Sequence, residues 1–194
     1  SPLAYVVMAM FLLLAGYLFF GGVSFTREAS LLGLTQNVSV LFLFIIPALS
    51  MRLLADEMRM GTIELVMTAP VQEWEVVLGK FLASLGLIVI MLLLTLLYPA
   101  LLFAWGNPDP GPILTGYLGI LLQAAAFLAV GLWASSLTQN QIVAALLGFA
   151  LLLLLWLSDV LGQFLGGTLG SAVTYASVVT HLNDFMRGVI NSKD

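Results

Sequence analysis

Eight of the 16 charged residues fall between positions 52 and 80: Arg52, Asp56, Glu57, Arg59, Glu64, Glu73, Glu75 and Lys80. Mixed charges at this density can pair with one another, hold a partner or anchor helices at a membrane surface, but their spacing fits no catalytic constellation. A phosphate-binding loop requires G-x-x-x-x-G-K-[ST]. Gly79-Lys80 is the only Gly-Lys pair, with Trp74 where the first glycine would stand and Phe81 where Ser or Thr must follow. ATP hydrolysis is therefore not expected on this chain. His181 is the only histidine, with Ser177 four residues before it and Asp184 three after, so a Ser-His-Asp set can be drawn on paper. Neighbours on one segment cannot form a buried relay without a second element, and no Gly-x-Ser-x-Gly turn occurs. With no cysteine, a metal would have only scattered carboxylates. We expect no catalytic, cofactor-binding or metal-binding residue, and no disulfide.

The elements that would carry these residues are those of a membrane protein. Charged residues make up 8% of the 194, against roughly 25% in a soluble domain, and 61% are hydrophobic, with a mean hydropathy of +1.11. The net charge of -4 leaves no basic surface for phosphates, which excludes nucleic acid as a partner. A charge at mid-bilayer costs a few kcal/mol or more, so charge-free intervals of about 20 residues locate the spans. Five spans are expected, at about 3 to 23, 35 to 54, 76 to 98, 113 to 134 and 142 to 158. The last two share one 49-residue interval, split by the polar run Ser135-Ser136-Leu137-Thr138-Gln139-Asn140-Gln141. An outer segment, about 159 to 194, is too rich in Gly, Ser and Thr to face lipid. It is expected to be re-entrant or interfacial and to pack on protein, with Gly162, Gly166 and Gly170 spaced for close backbone approach.

The positive-inside rule puts Arg52, Arg59 and Lys80 in the cytoplasm. Trp74 and Trp133 then mark the inner interface, and Tyr98, Trp105 and Trp156 the outer one. The run Asn107-Pro108-Asp109-Pro110-Gly111-Pro112 is expected to be a rigid outer turn. Pro47 in the second span can serve packing or kink that helix and free a carbonyl. Asn37-Val38-Ser39 matches a glycosylation triplet but sits at a span end, where chance explains it better. The chain opens on Ser1-Pro2 and closes on Ser192-Lys193-Asp194, so we expect a trimmed product with a sixth span beyond Asp194.

Within the charged loop, Gly61 can stop a helix arriving from span two, and Thr62 can cap a new one with Glu64 in its first turn. A helix restart is expected at Pro70, with Glu73 and Glu75 near its N-terminus. A short helix over Ile63, Val66 and Met67 would need an apolar receptor outside the bilayer core. Five acids against three bases disfavour anionic lipid and favour a protein.

The run from Ala55 through Val71, ADEMRMGTIELVMTAPV, followed by Trp74-Glu75-Val76-Val77-Leu78-Gly79-Lys80, resembles the cytoplasmic loop of type-2 ATP-binding cassette (ABC) transporter permeases. The subgroup it most resembles includes the gliding-motility permeases. The pattern of a glutamate, three residues, Gly-Thr, an aliphatic, Glu and an apolar run to Ala-Pro-Val is matched from Glu57 to Val71. Ser136 to Gln141 and His181 to Ile190 are similar to that subgroup as well. The resemblance implies six spans per subunit, a dimeric membrane unit and a loop helix that docks on a separate ATPase subunit, which would carry ATP and Mg. It assigns Glu57, Arg59, Gly61, Thr62, Ile63 and Glu64 to the coupling region.

The expected protein is thus an all-α, polytopic helical membrane chain: one permease domain over 1–194, with its coupling loop at about 55–75. Its place would be the bacterial inner membrane, and its partners the ATPase, a second permease subunit and the bilayer. With no charged ring inside, an amphiphilic or lipid-linked cargo and an export role are expected. A secondary transporter or channel is the alternative class, and an intramembrane hydrolase a more remote one.

Overall fold

A computed structural model of the chain describes residues 2–26, 31–61, 72–105, 110–165, 175, 177, 182, 183 and 185. The described elements are helices: α1 (Pro2–Thr26), α2 (Leu31–Ser50), α3 (Ala55–Met60), α4 (Glu73–Thr95), α5 (Leu97–Trp105), α6 (Pro110–Ser136), α7 (Gln141–Trp156) and α8 (Ser158–Leu165). Helix is what a lipid environment demands, because a segment without water must satisfy its own backbone. Four helical stretches are long and apolar enough to cross a bilayer: Ala4–Gly22, Gly33–Met60, Glu73–Leu101 and Pro110–Ser136. The fifth expected span is α7, whose 16 residues reach about 24 Å at 1.5 Å per residue. Only Leu157 separates it from α8. The chain is therefore an all-α polytopic membrane protein.

α6 is the central post. It packs against α2, α4 and α7, while α2 also meets α1 and α7. Phe11, Phe42, Ile46, Ile88, Met91, Phe127, Leu128 and Leu152 are fully buried between them, and the rings of Phe11 and Phe42 stack at 5.5 Å. Leu13, Tyr17 and Phe20 on α1 are exposed, as side chains turned toward lipid must be. Close approach of α2 to α6 depends on Gly131, where a Cβ would lie 2.9 Å from Ser50 Cβ. Pro47 is buried and a Cβ on Gly148 of α7 would stand 3.7 Å from it, so it serves packing.

Several boundaries differ from the sequence reading, each for a local reason. Pro110 and Pro112 lie inside the first turn of α6 rather than in a turn before it. Their missing N–H groups cost nothing there, since the first N–H groups of a helix have no intrahelical acceptor. The third span breaks at Leu96 and resumes as α5, because the ring of Pro99 clashes with the carbonyl four residues back, that of Thr95. Asn37, Val38 and Ser39 sit within α2, with Val38 and Ser39 buried, which agrees with reading the triplet as chance. The expected turn between spans four and five is present, and Asn140 caps α7 by accepting the Ile142 N–H at 2.9 Å. Most of the outer segment lies outside the described residues; of those described, Ser177, Leu182 and Phe185 are buried, whereas Val160, Leu161, Phe164, Leu165 and Tyr175 are exposed.

Gly131→Leu is expected to lower stability by about 1 to 3 kcal/mol through overpacking against Ser50. Gly86→Ala, on α4 with nothing within 4 Å of its added methyl, should hold or raise it by up to about 1 kcal/mol. Midpoints of denaturant unfolding in mixed micelles measure both.

Candidate functional site

The second span does not run straight into the charged loop. α2 ends at Ser50, and residues 51–54 form turns before α3 begins at Ala55. Such a break leaves backbone groups without helical partners, and at the edge of an apolar bundle they must be met elsewhere. One hydroxyl meets three of them. Ser135, at the end of α6 and fully buried, accepts the Leu54 N–H at 3.2 Å and the Ala55 N–H at 3.1 Å. It donates in turn to the Met51 carbonyl at 3.2 Å. α3 has no capping bond from its own N-cap residue, Leu54, so its N-terminal cap comes from another helix.

Two further helices take hold of the same element. The Lys80 ammonium on α4 donates to the Leu53 carbonyl and pairs with Glu57 Oε1 at 2.6 Å. The Gln141 amide, first residue of α7, donates to Asp56 Oδ1. Both acids lie in the first turn of α3 and Arg59 in its last, the arrangement that a helix dipole favours. A partly shielded lysine-glutamate pair gains little over two hydrated charges, but losing one partner strands the other. The value of the pair is therefore positional: it ties α3 to the start of α4.

α3 stops at Gly61, whose φ of +68° is left-handed and whose N–H reaches the Met58 carbonyl at 3.4 Å. That conformation is strained for residues with a Cβ and free for glycine. The stop expected at Gly61 is present, but it ends the separate helix α3 and not span two itself. Thr62, Ile63 and Glu64, and the short helix expected over them, lie outside the described residues. α4 begins at Glu73, with Gln72 as N-cap in extended conformation; the restart expected at Pro70 lies outside the described residues. The Gln72 N–H donates to Glu75 Oε2 at 2.9 Å. Glu73 and Glu75 do occupy the new first turn.

Of the residues expected to form the coupling region, Glu57 is held in the cradle, while Arg59 and Gly61 are exposed at its rim. Sequence reasoning missed Ser135 and Gln141 as partners of α3 because nothing in their polar run says which helix they meet. Asp56 and Lys80 were visible as charges, but not as the groups through which α3 is tied to α7 and α4. Beside the cradle a groove of about 690 Å³ runs between α4 and α6, with Trp74 and Trp133 among its lining residues. Both indoles thus lie at the α3 end of the bundle.

A family model described as ABC-2 family transporter protein matches residues 3–187. No curated protein and no solved structure gives a significant match.

Ser135→Ala removes one acceptor of two amides and one donor to a carbonyl. It should cost about 1 to 3 kcal/mol and speed amide exchange at Leu54 and Ala55 by about tenfold or more, while exchange in the middle of α6 stays unchanged. Hydrogen exchange read by mass spectrometry checks this.

Proposed function

The chain belongs to the ABC-2 family of transporter proteins, and from that premise we propose that it is the membrane subunit through which a separate ATPase drives export. Family membership makes it a membrane permease component of an ABC transporter; its non-catalytic role, the motor, the direction and the docking surface are our assignment. The observation that carries it is the cradle. α3 is bonded at once to α4 through Lys80, to α6 through Ser135 and to α7 through Gln141. A force applied to α3 therefore reaches three spans without first bending a flexible tether.

In this reading Glu57, Arg59, Gly61, Thr62, Ile63 and Glu64 form the coupling region, with Arg59, Met60 and Gly61 at the exposed tip of α3. Closure of the partner's ATPase domains, which bind ATP and Mg, pushes this tip. α2 and α7 then shift against α6 between two packings, one open to each side. Packed interfaces move between discrete arrangements more readily than they deform continuously, so a rigid lever is an effective transmitter. The loop sequence favours the gliding-motility subgroup. The assembly we propose pairs this single permease domain with a second permease subunit in a bacterial inner membrane, with the α3 end cytoplasmic.

Two variants test the coupling. Gly61→Pro removes the N–H that closes α3, and Glu64→Lys reverses a charge in the proposed docking helix; each is expected to abolish co-purification with the proposed ATPase subunit when the two are co-expressed, while Glu73→Gln should retain it. Persistence of the complex in both variants overturns the docking. Sidedness is checked by a cysteine placed at Arg59, which should resist impermeant thiol reagents in intact cells and react in inverted vesicles.

A further inference from the structure

The groove between α4 and α6 changes character along its length. α4 lines it with Glu73, Trp74, Val77, Leu78 and Phe81, a spacing that puts them on one face of the helix. α6 lines it with Ala129, Leu132, Trp133 and Ser136, again one face. Glu73 opens α4 and Ser136 closes α6, so the carboxylate and the hydroxyl share the mouth at the α3 end. Phe81 lies eight residues farther along α4, about 12 Å at 1.5 Å per residue. That is most of the roughly 15 Å that one leaflet contributes to the hydrocarbon core.

The mouth carries one charge. Glu73 is exposed and has no ion-pair partner among the described residues. Its neighbours are otherwise engaged. Glu75 meets the positive end of α4 by accepting the Gln72 N–H, and the Trp74 indole N–H donates to Gln72 Oε1. The Ser136 hydroxyl donates to the Trp133 carbonyl at 2.7 Å. No base is among the described lining residues, and Lys80, the one base of α4, is held by Glu57 and the Leu53 carbonyl. Residues 62–71, which precede α4 in the chain, add a single ionisable side chain, Glu64, and it too is an acid. A negative charge therefore stands beside two indoles, and the lining beyond them is apolar.

We propose that this groove binds one amphiphile of the adjoining leaflet, with a cationic ammonium headgroup at Glu73 and its chain along Val77, Leu78, Leu132 and Phe81. The carboxylate attracts the ammonium, and the faces of Trp74 and Trp133 favour the same sign of charge. An anionic headgroup would meet the carboxylate with no base to offset it. A volume of about 690 Å³ is in the range of small-molecule sites, about 300 to 1,000 Å³. Trp74, Val77, Leu78 and Trp133 are exposed, so the groove opens sideways and the amphiphile enters from the membrane. As a binding site this does not rest on the transport reading, and it is measured without the ATPase.

Trp74 and Trp133 are the reporters. The full chain carrying Trp105→Phe and Trp156→Phe is held in uncharged dodecyl maltoside micelles and titrated with an alkyltrimethylammonium or an alkyl sulfate of equal length, each brominated in mid-chain to quench nearby indoles. Saturable quenching is expected with the ammonium probe, half complete at a mole fraction about fivefold lower than with the sulfate. Glu73→Gln should bring the two probes within about twofold of each other. Ala129→Phe, which narrows the apolar end and leaves the carboxylate in place, should weaken the ammonium probe and stands in if Glu73→Gln fails to fold. In the converse reporter, Trp74→Phe with Trp133→Phe, quenching of Trp105 and Trp156 should not saturate. Equal half-quenching by both probes overturns the proposal and leaves a site for chains alone. Absence of saturation, or unchanged affinity in the folded variants, also overturns it, and the groove is then a surface for protein or bulk lipid. Glu73 is outside the proposed coupling region, so this preference stands or falls independently of whether an ATPase docks.

Discussion

In a chain this apolar, each backbone N–H and C=O must find its partner within the protein, and the architecture follows from where that demand is met inside a helix and where it is not. α1, α2, α4, α6 and α7 meet it through their own ladders. At residues 51–54 the ladder fails, and side chains from two other helices replace it. Ser135 serves three backbone groups at that joint, and Lys80 takes the Leu53 carbonyl. The repair orients α3 and at the same time binds it to the helices that a transporter would have to move. Local hydrogen-bond satisfaction and long-range mechanical linkage are here the same set of contacts.

The polar interactions are distributed unevenly along the bundle. At the α3 end they are charged or backbone-directed and hold an element in place. Farther in, they are neutral and sparse, with Gln123 and Ser39 joined at 2.7 Å across α2 and α6 and Thr95 within 3.1 Å of the Tyr117 hydroxyl across α4 and α6. That gradient suits a membrane subunit. Charge belongs where water is near, and neutral hydrogen bonds can join helices in lipid at modest cost. Small residues set the helix spacing that makes these bonds possible, as Gly131 does beside Ser50 and Gly119 beside Phe185.

Much was legible in the amino-acid order. The scarcity of charge determined the class of protein and the approximate spans, because dielectric cost acts on any helix regardless of its neighbours. Gly61 as a helix stop, the turn before Gln141 and the acids opening α4 were readable as well, since propensity, φ preference and the helix dipole act over a few residues. What only tertiary structure decided was pairing. That span two breaks at Ser50, that Ser135 caps α3 from 80 residues away in sequence, and that Gln123 shares its amide with Ser39 all depend on which helices become neighbours. Leucine-rich spans of similar composition carry little information about that choice. It is settled by shape, through the few glycines and prolines that permit close approach, and shape appears only when the helices are packed together.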